Sequence, residues 1–187
     1  ATRLRNLRDT GGGTASALLG EFVEAGRQSL EGLAHGINQK ALDGAVEALA
    51  KAGLVHIVGY RRAFPVATYL AYALQKMDVP CVLHDGVGKL DLSNAMRDGD
   101  VLVAITFAPY SAETVAMAEA AVARDLPVVS ITDTAISPIA SSSSFLLTVT
   151  EVDFGAFRSL SATIALAISL AVATGAAREQ VVVDRGE

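Results

Sequence analysis

From Leu54 onward the chain repeats one pattern, and that pattern restricts its fold more than any other feature. Short, almost wholly apolar runs alternate with longer segments of helical character: LVHIVG (54–59), PCVLHD (80–85), DVLVAITF (100–107), LPVVSIT (126–132) and SFLLTVT (144–150). A strand without polar alternation has to bury both of its faces, and parallel sheets covered by helices on both sides do this. Connections between parallel strands of one sheet are right-handed in nearly all cases. The pattern therefore predicts an α/β, three-layer domain: a five-stranded parallel sheet of flavodoxin-like order 2-1-3-4-5, flanked by helices. The expected helices are FPVATYLAYALQKM (64–77), KLDLSNAMRD (89–98), SAETVAMAEAAVARD (111–125) and FRSLSATIALAISLAVAT (157–174). Pro65 fits the first turn of its helix, where a missing N–H costs nothing.

The region before Leu54 differs. TGGGTAS (10–16) reads as a flexible joint behind a short basic stretch, RLRNLR. Leu18, Leu19, Phe22, Val23, Leu30 and Leu33 then recur with helical spacing and predict a helix over 15–36, stopped at Gly36. A second helix, about 40–52, buries Leu42, Val46 and Leu49. The expected organisation is a connector remnant at 1–14, an N-terminal helix at 15–38, the α/β domain at 39–178 and a tail at 179–187.

Hydrophobic residues make up 51% of the chain and charged residues 19%, with net charge −5, so a large core is available and no basic stripe supports nucleic-acid binding by this region alone. The lone Cys81 excludes an internal disulfide and fits a reducing, cytoplasmic setting. SLSATIALAISLAVATGAA (159–177) carries no charge and approaches the length of a bilayer span. Its serines, threonines and alanines favour a helix buried between the sheet and a partner subunit, and no membrane association is expected.

In a doubly wound sheet the ligand crevice opens at the carboxyl ends of the strands where the order reverses. Here that lies between the first and third strands, whose loops are GYRRAF (59–64) and TFAPYSAET (106–114). Arg61 and Arg62, next to Ala63, carry planar forks matched to phosphate or carboxylate oxygens. They either hold a ligand or pair with acids elsewhere. Ser111 can cap a helix, with Glu113 in its first turn, and Thr106, Ser111 and Thr114 offer hydroxyls to an anion at that terminus. The alternative is that they only start the helix. TDTAISPIASSSS (132–144) brings Asp133 and Ser137 near the same edge as turn residues or as ligand contacts. EVDFGAFRS (151–159) brings Glu151, Asp153, Arg158 and Ser159, where a carboxylate could act as a base or clamp a sugar hydroxyl.

His35, His56 and His84 lack a metal-binding spacing, and no nucleophile elbow, P-loop or HExxH motif is present, so neither metal nor cofactor is expected. His56 lies inside a strand as a core residue, while His84 ends a strand and could reach the crevice.

The glycine-ended first strand and its helix, the hydroxyl-rich loop after the third strand, ITDTAISPIA (131–140) and FRS (157–159) together resemble a sugar isomerase (SIS) domain. The set is most similar to the effector-binding domain of RpiR-family bacterial transcriptional regulators and covers about residues 40–175. The resemblance implies a flavodoxin-like homodimer or higher oligomer that binds a small anionic carbohydrate derivative, phosphorylated or acidic. It also implies contact with DNA only through an N-terminal helix-turn-helix domain outside this chain. The ligand set it supports is Arg61, Arg62, Ala63, Thr106, Ser111, Thr114, Ser137, Glu151, Arg158 and Ser159. The alternative it allows is a phosphosugar isomerase using Glu151 or Asp153 with His84. Where such phosphate loops carry a second glycine and a serine, this chain has Arg61 and Ala63. The pocket is thereby remodelled and equally suits a sugar acid.

Overall fold

The computed structural model describes residues 14–87, 93–154 and 157–185, with side chains up to 180. The order is α1 (Ala15–Gly36), α2 (Gln39–Lys51), β1 (Val55–Gly59), α3 (Phe64–Lys76), β2 (Cys81–His84), β3 (Val101–Ile105), α4 (Ala112–Val122), β4 (Val128–Thr132), β5 (Phe145–Thr148), β6 (Asp153–Phe154), β7 (Phe157–Arg158) and α5 (Ser161–Arg185). Strands β2-β1-β3-β4-β5 form one wholly parallel sheet, in the order the alternation predicts. β1, β3 and β4 are buried at every position, which is why their sequences lack alternation.

The two sheet faces are covered differently. Ile57, Val103, Ile131 and Leu147 point into a core completed by Val66, Leu70 and Leu74 of α3, Leu49 of α2 and Leu166 and Leu170 of α5. On the other face Val58, Leu102, Ala104 and Val128 meet Ala118 and Ala121 of α4, with Met96, Leu126 and Ile139. α5 is the hub of the thicker layer, packed on α1, α2 and α3. Ser161–Gln180 is long and apolar enough to cross a bilayer by length and composition. Ala162, Leu166, Ala167, Leu170 and Ala171 are buried in the core, so packing within the domain accounts for one face of the helix, while Ile168 and Val172 are exposed.

Helix ends follow local chemistry. Thr14 accepts from Ala17 N at 3.2 Å, Asn38 from Ala41 N at 3.0 Å and Ser111 from Thr114 N at 3.3 Å, each satisfying an amide that the first helical turn leaves unpaired. α1 ends at Gly36, as predicted.

Three expectations are corrected. The helix predicted over 89–98 is, among the described residues, only a 3₁₀ turn at Ser93–Ala95; residues 88–92 lie outside them. The loop predicted after β5 contains a small antiparallel hairpin, with Asp153 opposite Arg158 and Phe154 opposite Phe157. The tail expected from 179 is helical as far as Arg185, because α5 runs on. The connector expected before α1 falls outside the described residues as far as 13.

Candidate functional site

Gly59, the last residue of β1, stands beside Ile105, the last of β3, so the loops that follow the two strands share one rim of the sheet. Between them lies a cleft of about 510 Å³. Its first wall is Tyr60, Arg61, Arg62 and Ala63; its second is Thr106, Phe107, Ala108, Pro109 and Ser111; Asp153 and Arg158 of the hairpin close the third side.

The first wall depends on a tight turn. A Cβ at Gly59 would lie 3.2 Å from both Ala63 O and Ala67 Cβ, so glycine allows the 3₁₀ turn Arg61–Ala63 to fold back onto the strand end. Arg61 is exposed and takes a left-handed φ of 56°, uncommon for a residue other than glycine. Arg62 turns inward. Its guanidinium lies 5.0 Å from the centre of the Phe107 ring and donates from Nη2 to Ala108 O at 3.1 Å. Part of its donor fork therefore braces the opposite wall. Burial, followed by the nearby Arg158, lowers its pKa, yet a guanidinium starts so high that it stays charged.

In the second wall the hydroxyls are already engaged. Thr106 Oγ1 accepts from Ser111 N at 3.1 Å; Ser111 Oγ accepts from Thr114 N and donates to Glu113 at 2.7 Å. The helix terminus expected to attract an anion thus carries a carboxylate of its own. Thr114 is wholly buried and does not line the cleft, and Ser137, 5% exposed, does not either. Both hydroxyls lack a partner among the described residues. Burial raises the pKa of Tyr60, with Glu113 and Asp85 adding to the shift.

Arg158 spans the third side. Its Nε is 3.5 Å from Asp153 Oδ2 and its Nη1 3.8 Å from Asp133 Oδ2. Behind it a small recess is lined by Arg62, Phe107, Asp133, Glu151, Arg158 and Ser159, among others. Glu151 Oε1 accepts from Thr163 N and Thr163 Oγ1, both at 2.7 Å, and so caps α5, where the helix dipole favours negative charge. Its Oε2 is buried without a partner among the described residues. Ser159 Oγ donates to Ser161 Oγ at 2.6 Å and accepts from Ser161 N at 3.0 Å.

Six of the ten residues singled out in the sequence, Arg61, Arg62, Ala63, Thr106, Ser111 and Arg158, line one cleft. Glu151 and Ser159 stand in the recess behind it, and Thr114 and Ser137 stand apart from both. Tyr60, Phe107, Ala108 and Pro109 belong to the two crevice loops but were not among the residues singled out. Their one sequence signal was adjacency to Gly59 and Thr106 at the two strand ends.

His84 does not reach the cleft. It is 3% exposed and lies 2.9 Å, Nε2 to Nδ1, from His56, whose Nε2 is 3.1 Å from Asp100 Oδ2. Cys81 is half-buried, donates from Sγ to Ala71 O at 3.4 Å, and has its thiol pKa raised by burial, consistent with a packing role. No group of three metal-ligating side chains occurs among the described residues.

Comparison with known proteins follows the same lines. The SIS domain family model matches residues 48–173. The RpiR transcription factor sugar isomerase domain from Sphaerobacter thermophilus superposes with TM-score 0.77 at 22% identity, over 90% of this chain and 98% of that one. The Vibrio vulnificus NanR protein complexed with ManNAc-6P gives 0.77 at 23%, over 97% and 72%. A Methanococcus jannaschii protein, whose structure was taken to infer a molecular function of 3-hexulose-6-phosphate isomerase, gives 0.62 at 11%, over 86% and 89%. No curated protein matches by sequence. At these identities the solved structures share the fold.

Proposed function

This chain belongs to the SIS domain family, and we propose that it is the effector-binding and dimerisation domain of an RpiR-type transcriptional regulator, sensing a phosphorylated or acidic sugar. The observation that carries the reading is a cleft at the switch point of the sheet with arginines on two separate walls, Arg61 and Arg62 on one and Arg158 on another. Guanidinium groups converging from different elements fit an anion with several oxygens. One neighbour of the same fold is described as complexed with ManNAc-6P, which supports the same ligand class.

A sensor also needs a route out of its pocket. The hairpin that carries Arg158 is tied to the N-terminal helix: Phe154 packs edge-on against Phe22 of α1, ring centres 5.2 Å apart at 81°, and Val152 N donates to the buried Ser29 Oγ at 2.9 Å. In this reading α1 receives the signal, and DNA is contacted by a different domain.

The second reading, a phosphosugar isomerase, is the function inferred for the Methanococcus jannaschii neighbour. It needs a base in the cleft and a group that opens the sugar ring. The pair expected for it does not assemble: His84 is bonded to His56 inside the sheet, and one oxygen of Glu151 caps α5. Asp153 alone lines the cleft, half exposed.

The test is thermal denaturation against a panel of sugar phosphates and sugar acids. A ligand raises stability by RT ln(1 + [L]/Kd), so a true effector at 100 Kd adds about 2.7 kcal/mol. Arg158→Ala should abolish the shift. If no panel member stabilises the protein, or Arg158→Ala retains the shift in full, the reading is wrong.

A further inference from the structure

We propose that Asp133 is a positioning residue of the cleft, a carboxylate that joins its loop wall to its hairpin wall and sets Arg158 for an anion. The inference rests on the anion-sensing reading above and adds a residue that does not itself line the cleft.

Asp133 follows β4, one strand beyond the two whose loops carry most of the cleft. Its Oδ2 accepts from Ala108 N at 3.1 Å and stands 3.8 Å from Arg158 Nη1; its Oδ1 accepts from Tyr110 Oη at 2.9 Å and from Thr132 Oγ1 at 3.4 Å. The hydrogen-bond donors come from the β3–α4 loop and β4, and the hairpin adds Arg158 as an ion-pair partner. A carboxylate can accept all three hydrogen bonds and still face a cation because it has two oxygens, no hydrogens of its own and a negative charge. Asparagine would offer one oxygen and present N–H groups to at least one donor. Arg62 grips the same loop from the other side through Ala108 O, so segment 107–110 is held at both the N–H and the C=O of Ala108.

The charge makes this role testable by its sign. A carboxylate beside Arg158 weakens the positive field of the cleft. Were Asp133 a bystander, neutralising it would tighten an anion. As a positioning group it must do the opposite, because loss of the shared acceptor lets Arg158 and the loop leave their places, and interaction energy in such a site depends on preorganisation.

The experiment is calorimetric titration of the full chain with inorganic phosphate at low ionic strength, where screening is least. Asp133→Asn is expected to weaken phosphate at least fivefold. Tyr110→Phe, which changes no charge, should weaken it in the same direction. The double variant should be no weaker than Asp133→Asn alone, because both changes release one loop; a general loss of packing would instead add. Asp133→Asn binding phosphate as tightly as the parent or more tightly, or additive single effects, overturns the inference while leaving the anion site standing. Should Asp133→Asn fail to fold, Tyr110→Phe decides, and unchanged affinity there overturns it. If the parent binds neither phosphate nor any sugar phosphate or sugar acid, both the sensing reading and this inference fall.

Discussion

Acid should destabilise this protein through one histidine in particular. Asp100 Oδ2 accepts from Arg97 N at 2.8 Å and faces His56 Nε2 at 3.1 Å, which assigns the His56 proton to Nε2. His56 Nδ1 then accepts from His84 Nε2 at 2.9 Å. His84 Nδ1 is left with a lone pair, buried and without a partner among the described residues. A proton there would create a buried donor with no acceptor. Burial first, and then His56, accordingly push the His84 pKa down from 6.5 to about 4, against a smaller upward pull from Asp85. The unfolded chain binds the proton near 6.5, so between 6.5 and 4 it holds more protons than the folded one, and stability falls as pH falls. At about 1.36 kcal/mol per pH unit the full loss is about 3 kcal/mol, of which about 2 kcal/mol is gone by about pH 5. Urea unfolding at pH 7.5 and pH 5 measures it, with His84→Gln as the control that keeps a donor toward His56 but cannot titrate. The parent should lose about 2 kcal/mol more than the variant across that window. Equal losses would refute the argument.

Two further outcomes follow from packing and from the hairpin. A Cβ at Gly175 in α5 would lie 2.5 Å from Met77 Cε and 2.6 Å from Met77 Cβ. Overpacking of about 1–3 kcal/mol, offset by a helix-propensity gain of about 1 kcal/mol, should leave Gly175→Ala less stable by up to about 2 kcal/mol in chemical denaturation. Ser29→Ala removes the acceptor of Val152 N and should cost about 1–2 kcal/mol, with faster amide exchange at Val152 as its local signature.

What the sequence disclosed and what it hid divide along physical lines. Strand periodicity is local and strong, so β1, β3 and β4 and their order were readable from apolarity and chain connectivity. β6 and β7 are two residues long, too short for any periodic pattern, and the hairpin is fixed by the Asp153–Arg158 pair and by Phe22 far away in α1. The cleft was readable because strand order alone brings residues 59–64 and 106–114 together. Side-chain direction was not: Arg61 and Arg62 look alike in sequence, yet one is exposed on the cleft wall and the other lies over Phe107. Thr114 was rightly placed in the first turn of a helix, but its position there points it into the core. Whether His84 reaches the crevice was not legible, because the partner that holds it inside the sheet sits on the next strand, 28 residues away.

Asp153 lines the cleft half exposed, whereas the acids behind it are committed to structural bonds. Asp133 has its oxygens filled by Ala108, Tyr110 and Thr132, and Glu151 gives one oxygen to the start of α5. Acids held in this way are poor bases but good struts. The hairpin segment joins the pocket to α1 through a small contact, one edge-on aromatic pair and one hydrogen bond. Such a pair contributes about 0.5–1.5 kcal/mol, and a ligand that prefers one arrangement tenfold supplies about 1.4 kcal/mol. In the sensing reading proposed above, a tenfold preference of the anion for one arrangement would therefore match in size the aromatic contact that seats the hairpin on α1.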